Sequence, residues 1–127
     1  MSRRDFRELR ILCTGASSGI GAALSRQLAG RGARLILNAR REEQLRELAS
    51  HIEEEGGEVC LVPGDITEQQ TRQAMLAQSQ SQWGGVDAII NCAGIGSIAN
   101  FTDSTEDVLR QIMEVNFFAA VELTRLA

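Results

Sequence analysis

The stretch Thr14-Gly15-Ala16-Ser17-Ser18-Gly19-Ile20-Gly21 lies between a short apolar run, Ile11-Leu12-Cys13, and a segment whose apolar residues have helical spacing. A buried strand that turns through glycines into a helix offers free backbone N–H groups and the positive end of the helix dipole. Such a corner is suited to bind the phosphate groups of a nucleotide. We therefore predict a phosphate-binding turn, with backbone and hydroxyl donors around Ser17, Ser18 and Ile20 as its ligands.

The three glycines of this stretch have separate predicted roles. Gly15 permits the tight turn out of the strand, Gly19 lets the backbone approach the phosphates, and Gly21 lets the helix pack close to the sheet. Their spacing is Gly-x-x-x-Gly-x-Gly, which differs from the commoner Gly-x-Gly-x-x-Gly pattern. A glycine-rich turn alone is a weak signal, because an ordinary strand–helix corner also contains glycines.

Apolar strand-like runs alternate with helix-period segments along the chain. We predict strands at residues 9–13, 33–37, 59–62 and 86–91, and helices at about 20–28, 45–52, 68–82 and from 105 onward. Ser104 or Thr105 is the predicted cap of the last helix. Continuous apolar strands that alternate with helices indicate a parallel sheet covered on both faces. The predicted class is α/β, a Rossmann-type doubly wound fold in three layers, with the helix N-termini at the carboxyl ends of the strands.

Composition excludes several classes of partner. The net charge of −4 argues against nucleic acid or an anionic membrane, and no apolar run approaches the roughly 20 residues of a membrane span. Residues 1–7 lack the apolar region of a secretory signal. The three cysteines, Cys13, Cys60 and Cys92, fit reduced, buried thiols without metal-ligand spacing. We expect a cytoplasmic protein with no metal.

The end of the second predicted strand, Asn38-Ala39-Arg40-Arg41, bears on which dinucleotide is preferred. In a dinucleotide-binding fold an acid here binds the ribose 2′-hydroxyl, whereas an arginine suits a 2′-phosphate. The chain has Arg40 here and no acid before Glu42. A charge-assisted bond of roughly 1.5–3 kcal/mol would favour NADP(H) over NAD(H) about ten- to hundredfold. The alternative is that residues 40–43 are only a solvated helix start.

Four motifs in order give the chain a recognisable pattern. They are residues 14–21, Gly64-Asp65-Ile66-Thr67 after the third strand, Asn91-Cys92-Ala93-Gly94 after the fourth, and Asn116 within Val115-Asn116-Phe117. With them the chain resembles the short-chain dehydrogenase/reductase family, in its compact single-domain form. The resemblance extends over nearly the whole chain.

The resemblance implies roles for individual residues. Asp65 and Ile66 would flank the adenine, with the carboxylate accepting from the exocyclic amine. Asn91, Ala93 and Gly94 would line the ribose on the nicotinamide side, braced by Thr14. Asn116 resembles the catalytic asparagine that kinks its helix and holds a water in the proton relay. Where the family often has a second asparagine, this chain has Cys92.

The sequence also departs from the family. The family's general acid/base is a tyrosine, assisted by a lysine four residues later and a serine upstream. This chain contains no tyrosine and no lysine. The single histidine, His51, is predicted to lie on the surface away from the cofactor. Family members are about twice as long. We therefore expect residues 1–127 to form one NAD(P)-binding Rossmann domain, the amino-terminal half of a reductase truncated after the fourth strand, with strand order 3-2-1-4.

The whole protein would interconvert a small-molecule carbonyl and a secondary alcohol by hydride transfer, and this chain alone would be inactive. An alternative is a non-catalytic nucleotide-binding or interaction module. The epimerase and dehydratase branch, with Gly-x-x-Gly-x-x-Gly spacing, fits poorly. The fourth strand would leave Ile89 and Ile90 at an open edge, which favours a homo-oligomer.

Overall fold

The computed structural model describes residues 5–127. Residues 1–4, on which part of the prediction about a secretory signal rests, lie outside the described residues.

The described residues contain four strands and five helices, and the first three helices alternate with the strands as the sequence predicts. The single helix predicted from 105 onward is instead divided into two by a π-helical turn. The strands are β1 (Arg10–Thr14), β2 (Arg34–Asn38), β3 (Glu58–Leu61) and β4 (Ala88–Asn91). The helices are α1 (Gly19–Ala29), α2 (Glu42–Glu54), α3 (Gln69–Trp83), α4 (Glu106–Met113) and α5 (Ala119–Leu126). A 3₁₀ turn spans Phe101–Asp103, and a π-helical turn, Glu114–Phe118, joins α4 to α5.

The sheet is parallel throughout, and its strand order is β3-β2-β1-β4. The predicted Rossmann-type fold and strand order are therefore confirmed. Thr14, the last residue of β1, is level with Asn38 of β2 and Asn91 of β4. The carboxyl ends of these three strands thus meet at one edge of the sheet, where the predicted motifs follow them.

Apolar side chains are buried on both faces of the sheet, which explains why the strands read as continuous apolar runs. One face packs against α1 and α2, and the other against α3 and α5. In α2, the buried residues repeat at i, i+3, i+4 and i+7, and they are Leu45, Leu48, Ala49 and Ile52. Leu12 and Ile36, at the centre of the second face, are fully buried.

The boundaries of the first three strands differ from the prediction by one residue, and β4 begins at Ala88 instead of 86. The first strand is residues 10–14 instead of 9–13, and the second is 34–38 instead of 33–37. The reason is that each strand ends on a polar residue, Thr14 or Asn38, that is paired in the sheet although it interrupts the apolar run. Both polar residues are buried, with 1% exposure each. Thr105 caps α4, since its Oγ1 accepts a hydrogen bond from the Val108 N–H at 3.4 Å.

The prediction that all three cysteines are buried was wrong for two of them. Cys13 is fully buried in β1, whereas Cys60 and Cys92 are half-buried. Cys60 lies on β3, the edge strand, and Cys92 follows β4 at the open end of the sheet. In both places one side of the residue lacks a neighbouring strand or helix that would cover it.

Candidate functional site

A cavity of about 380 Å³ opens at the carboxyl ends of the strands. Its walls come from the predicted glycine turn, the end of β2, the turn after β3 and the segment after β4. Every predicted cofactor-binding residue lines it except Asn91, and the predicted residues are Gly15, Ser17, Ser18, Gly19, Ile20, Gly21, Arg40, Asp65, Ile66, Ala93 and Gly94. The lining residues outside that prediction are Asn38, Ala39, Arg41, Gly64, Cys92, Ile95 and Val115.

The glycine turn has little room for side chains on one side and open space on the other. Gly15 has a φ of +65°, and a Cβ there would lie 2.6 Å from the Ala93 nitrogen. Gly19 has a φ of +55°, and a Cβ there would meet no atom within 4 Å. A Cβ on Gly21 would overlap the Gly15 carbonyl oxygen. Gly15 and Gly21 therefore permit close packing, and Gly19 leaves the turn open toward the cavity.

The N-terminus of α1 faces this cavity without a capping side chain of its own. Ser18 is the N-cap residue, but its side chain makes no capping hydrogen bond, and the first turn contains no acidic residue. Ile20, on that first turn, is 78% exposed and lines the cavity, so its side chain is not part of the core. Uncapped N–H groups at a helix N-terminus attract an anion.

Two arginines face the glycine turn from the end of β2. Arg41 donates from Nη2 to the Ser18 hydroxyl at 2.7 Å and to the Ser17 hydroxyl at 3.4 Å. Arg40, which the sequence singled out, also lines the cavity. Arg41 was missed, although the pair of adjacent arginines was a signal that could have included it.

Asp65 is fixed by the residue two positions later. Its Oδ1 accepts hydrogen bonds from the Thr67 backbone N–H at 2.9 Å and the Thr67 hydroxyl at 2.8 Å. These bonds, the backbone one first, hold the pKa of Asp65 below its ordinary value, and the nearby Arg40 charge contributes less. The carboxylate is therefore charged, and its second oxygen is not engaged by Thr67. Beside it Ile66 also lines the cavity, although it is only 6% exposed and packs in the core on the second face of the sheet.

The segment after β4 is held by two side chains. The Thr14 Oγ1 accepts a hydrogen bond from the Ala93 N–H at 3.1 Å. Asn116, in the π-helical turn, donates from Nδ2 to the Ile95 carbonyl and accepts at Oδ1 from the Ile95 N–H, both at 2.8 Å. Asn116 thus contacts the cavity wall through Ile95, and it is not itself among the lining residues.

Asn91, which the resemblance implies to line the nicotinamide-side ribose, is not among the residues that line the cavity, whereas Cys92 is. The Asn91 Nδ2 donates to the Thr124 hydroxyl of α5 at 3.3 Å, so this side chain lies against α5 and outside the cavity. Cys92, the first residue after β4, lines the cavity together with Ala93, Gly94 and Ile95. Burial raises the pKa of the neighbouring Cys13 thiol to about 11.

The cavity can bind an anionic ligand but contains few groups for proton transfer. Its titratable lining residues are Arg40, Arg41, Asp65 and Cys92. His51 is exposed on α2, and its Nδ1 lies 2.7 Å from the Glu47 carbonyl oxygen, outside the cavity. Within residues 5–127, no cluster of three or more metal-ligating side chains occurs. None of the helices in that range combines the length and apolar character needed to cross a membrane.

Comparison with known proteins gives one consistent result. Residues 10–127 match the profile of a family described as short chain dehydrogenase. The chain is 37% identical over 120 residues to 11-beta-hydroxysteroid dehydrogenase A of Sesamum indicum, which covers 92% of this chain and 34% of that protein. It spans about a third of the length of the curated relatives that it matches.

Solved structures agree in fold. A short-chain type dehydrogenase/reductase from Mycobacterium marinum superposes with a TM-score of 0.89 at 29% identity, over 95% of this chain and 49% of that one. L-sorbose reductase from Gluconobacter frateurii, complexed with NADPH and L-sorbose, superposes with a TM-score of 0.88 at 31% identity, over 96% of this chain and 48% of that one.

Proposed function

Because the chain belongs to the short-chain dehydrogenase family, we propose that it binds NADP(H), in preference to NAD(H), for an oxidoreductase that interconverts a carbonyl and a secondary alcohol. The observation that carries this proposal is the pair Arg40 and Arg41 at the cavity wall, with Arg41 in contact with the phosphate-binding turn. No acidic residue from the end of β2 lines the cavity, where it would bind a ribose 2′-hydroxyl and repel a 2′-phosphate.

The residues present fit a dinucleotide. Gly19 leaves an open cradle at the N-terminus of α1 for the diphosphate. Asp65 and Ile66 would take the adenine through the free carboxylate oxygen and the apolar surface. Ala93 and Gly94 would line the nicotinamide side. When bound, the nicotinamide supplies or accepts the hydride.

The proposed roles of the chain's own residues are binding and positioning. Asn116 would act on the site by holding the Ile95 backbone, and through it the wall formed by Ala93 and Gly94. Its predicted place in a proton relay stays a prediction. Since general acid catalysis contributes about 10²–10⁴ in rate and the chain has no tyrosine or lysine, we expect the 127-residue chain to bind NADPH without turning over carbonyl substrates.

Titration of the 127-residue chain with NADPH and NADH tests the proposal, with nicotinamide fluorescence as the readout. We expect NADPH to bind about ten- to hundredfold more tightly, the effect of one charge-assisted contact to the 2′-phosphate. Equal or tighter binding of NADH would contradict the role of Arg40 and Arg41. Binding of neither nucleotide would contradict the dinucleotide site itself.

A second candidate is a nucleotide-binding module without chemistry, which the lack of tyrosine and lysine favours. Such a module would not reduce or oxidise a substrate even as part of a longer protein. A longer form of the protein that oxidises NADPH in the presence of a carbonyl compound would exclude it. The three unpaired cysteines support the cytoplasm as the compartment of either form.

We also propose that the chain self-associates. β4 is an edge strand with half-buried Ile89 and Ile90, and the helices that follow expose Met113 at 47% and Phe117 at 50%. Apolar surface of this kind favours association. Sedimentation should show a concentration-dependent dimer that Phe117→Glu weakens and Gln111→Glu, an exposed polar control, does not. A stable monomer at high concentration would exclude the proposal.

A further inference from the structure

The turn that follows β3, residues 62–67, is held by a side chain from β2. Asn38 donates from Nδ2 to the Val62 carbonyl at 2.8 Å and to the Gly64 carbonyl at 3.1 Å. Both partners are acceptors, so the NH₂ group of the amide must face them, and the orientation of the side chain is fixed. Its Oδ1 is then directed away from the turn.

The other end of the same turn is held by α3. Arg72 donates from Nη1 to the Ile66 carbonyl at 2.8 Å and to the Thr67 carbonyl at 2.7 Å. Arg72 is half-buried, and these two bonds join its guanidinium to the backbone of the two residues that follow Asp65. Four carbonyls of one short turn are therefore fixed by two side chains from different elements.

Both side chains leave an atom without a partner. In the described part of the chain, the buried side-chain polar atoms with no hydrogen-bond partner are Asn38 Oδ1 and Arg72 Nε. Leaving a buried polar atom unpaired destabilises the fold, and such atoms in a native protein call for an explanation. The two unpaired atoms belong to Asn38 and Arg72, the two residues whose side chains hold the same turn. This coincidence indicates that both residues are placed to fix the conformation of the turn.

We propose that Asn38 and Arg72 are positioning residues that keep the turn at 62–67 in the conformation that binds adenine. They act through backbone carbonyls, so that the free oxygen of Asp65 and the side chain of Ile66 face the cavity before the nucleotide arrives. Preorganisation of this kind improves affinity because the ordering entropy is not lost at the moment of binding. The inference rests on the proposed nucleotide site, which supplies the ligand for the turn.

The main test variant is Arg72→Met in the 127-residue chain. It removes the donors and the unpaired Nε together, so the fold should be retained. Arg72→Lys keeps the charge and should rescue part of the effect, and Asn38→Ser tests the other end of the turn. Arg46→Met is the matched control, because the exposed Arg46 bonds to Glu42 on its own helix and, within residues 5–127, to no other side chain.

Two readouts separate positioning from general stability. The first is amide hydrogen exchange at Thr67 and Glu68, whose N–H groups bond to Asp65, compared with exchange at Leu12 in β1. The second is the affinity for adenosine 2′,5′-bisphosphate. Releasing one or two backbone residues should weaken binding about ten- to hundredfold in Arg72→Met and Asn38→Ser, and should accelerate exchange at Thr67 and Glu68 but not at Leu12.

The outcomes distinguish this inference from the proposed function. A wild-type chain that binds neither NADPH nor adenosine 2′,5′-bisphosphate overturns the proposed function. If the wild type binds but Arg72→Met and Asn38→Ser bind equally well, the positioning role is overturned. Exchange that accelerates to the same extent at Leu12 and Thr67 also overturns it, because that result indicates only a less stable fold.

Discussion

In the absence of a ligand, the guanidinium of Arg41 is hydrogen-bonded to the Ser17 and Ser18 hydroxyls, which a nucleotide phosphate would approach. Its hydrogen bond to Ser18 at 2.7 Å is made by exposed groups, so exchange for a phosphate oxygen costs little. We predict that Arg41→Ala weakens NADPH binding about tenfold, the lower end expected for one charge-assisted bond, and leaves NADH binding nearly unchanged. Parallel fluorescence titrations measure the effect, with Arg46→Ala as a control. An equal loss for both nucleotides would show that Arg41 does not contact the 2′-phosphate.

The cysteines give a second prediction at this scale. Cys92 lines the cavity, Cys60 is half-buried outside it, and Cys13 is fully buried with its thiol pKa raised to about 11 by burial. Iodoacetamide should therefore modify Cys92 and spare Cys13, because only the thiolate reacts. Saturating NADPH should protect Cys92 at least several-fold and leave Cys60 unaffected, as peptide mass spectrometry would measure. Protection of Cys60 to the same degree would mean that the nucleotide acts on the whole fold.

Which residues reach the cavity was only partly predictable from sequence. The glycine turn, Arg40, Asp65 and Ile66 follow strand ends, and topology alone brings them together. Whether Asn91 or Cys92 lines the cavity depends on the residue at which β4 ends, and Asn91 is still paired with Thr14 in the sheet. Asn38 and Arg72 act through carbonyls of a turn, a contact with no sequence pattern.

Among the secondary-structure elements, the β1–α1 corner allows a matched pair of substitutions. Gly15 and Gly19 both have positive φ, so alanine at either position introduces strain of about 1–2 kcal/mol. Only at Gly15 would the new Cβ also lie within 2.7 Å of backbone atoms of residues 92 and 93. We predict that Gly15→Ala lowers the free energy of unfolding by clearly more than Gly19→Ala does, as urea denaturation would measure. Similar losses would mean that the segment after β4 moves aside easily.

The elements themselves were well predicted, because buried strands and amphipathic helices leave strong periodic signals. α2 shows this best, with four buried residues at helical spacing. The π-helical turn at Glu114–Phe118 has no comparable signal, and the hydrogen bonds that Asn116 makes from it reach Ile95, which is distant in the sequence. Resemblance to the family drew attention to Asn116, and periodicity alone would not have done so.

For the whole molecule, the pair Arg10–Asp87 ties β1 to the start of β4 at the amino ends of the strands. Hydrogen bonds from Arg10, with oxygens at 2.7 and 2.8 Å from its side-chain nitrogens, hold the pKa of Asp87 well below its ordinary value of 3.8. The folded state therefore favours the carboxylate. Its stabilising effect is fully present above pH 3.8 and is lost as the pH falls below that value.

We accordingly predict that Asp87→Asn lowers the melting temperature by a few degrees at neutral pH, and that the difference from wild type shrinks in acid. Thermal unfolding at both pH values measures this. Asp5→Asn is the control, because Asp5 also has its pKa lowered by an arginine, Arg7, but that pair is local in the chain and more exposed. A difference that persists unchanged in acid would rule out the ion pair as its source.

The hydrogen bond between Thr14 and Ala93 joins residues 79 positions apart. During synthesis on the ribosome, the glycine turn therefore leaves the exit tunnel long before the segment against which Gly15 packs. A nascent chain that ends after β3 has the glycine turn and both arginines but lacks the turn at 62–67 and the segment after β4, which form the rest of the cavity wall. If the chain binds a nucleotide as proposed, that binding can stabilise the folded state only late in synthesis, after β4 has paired with β1.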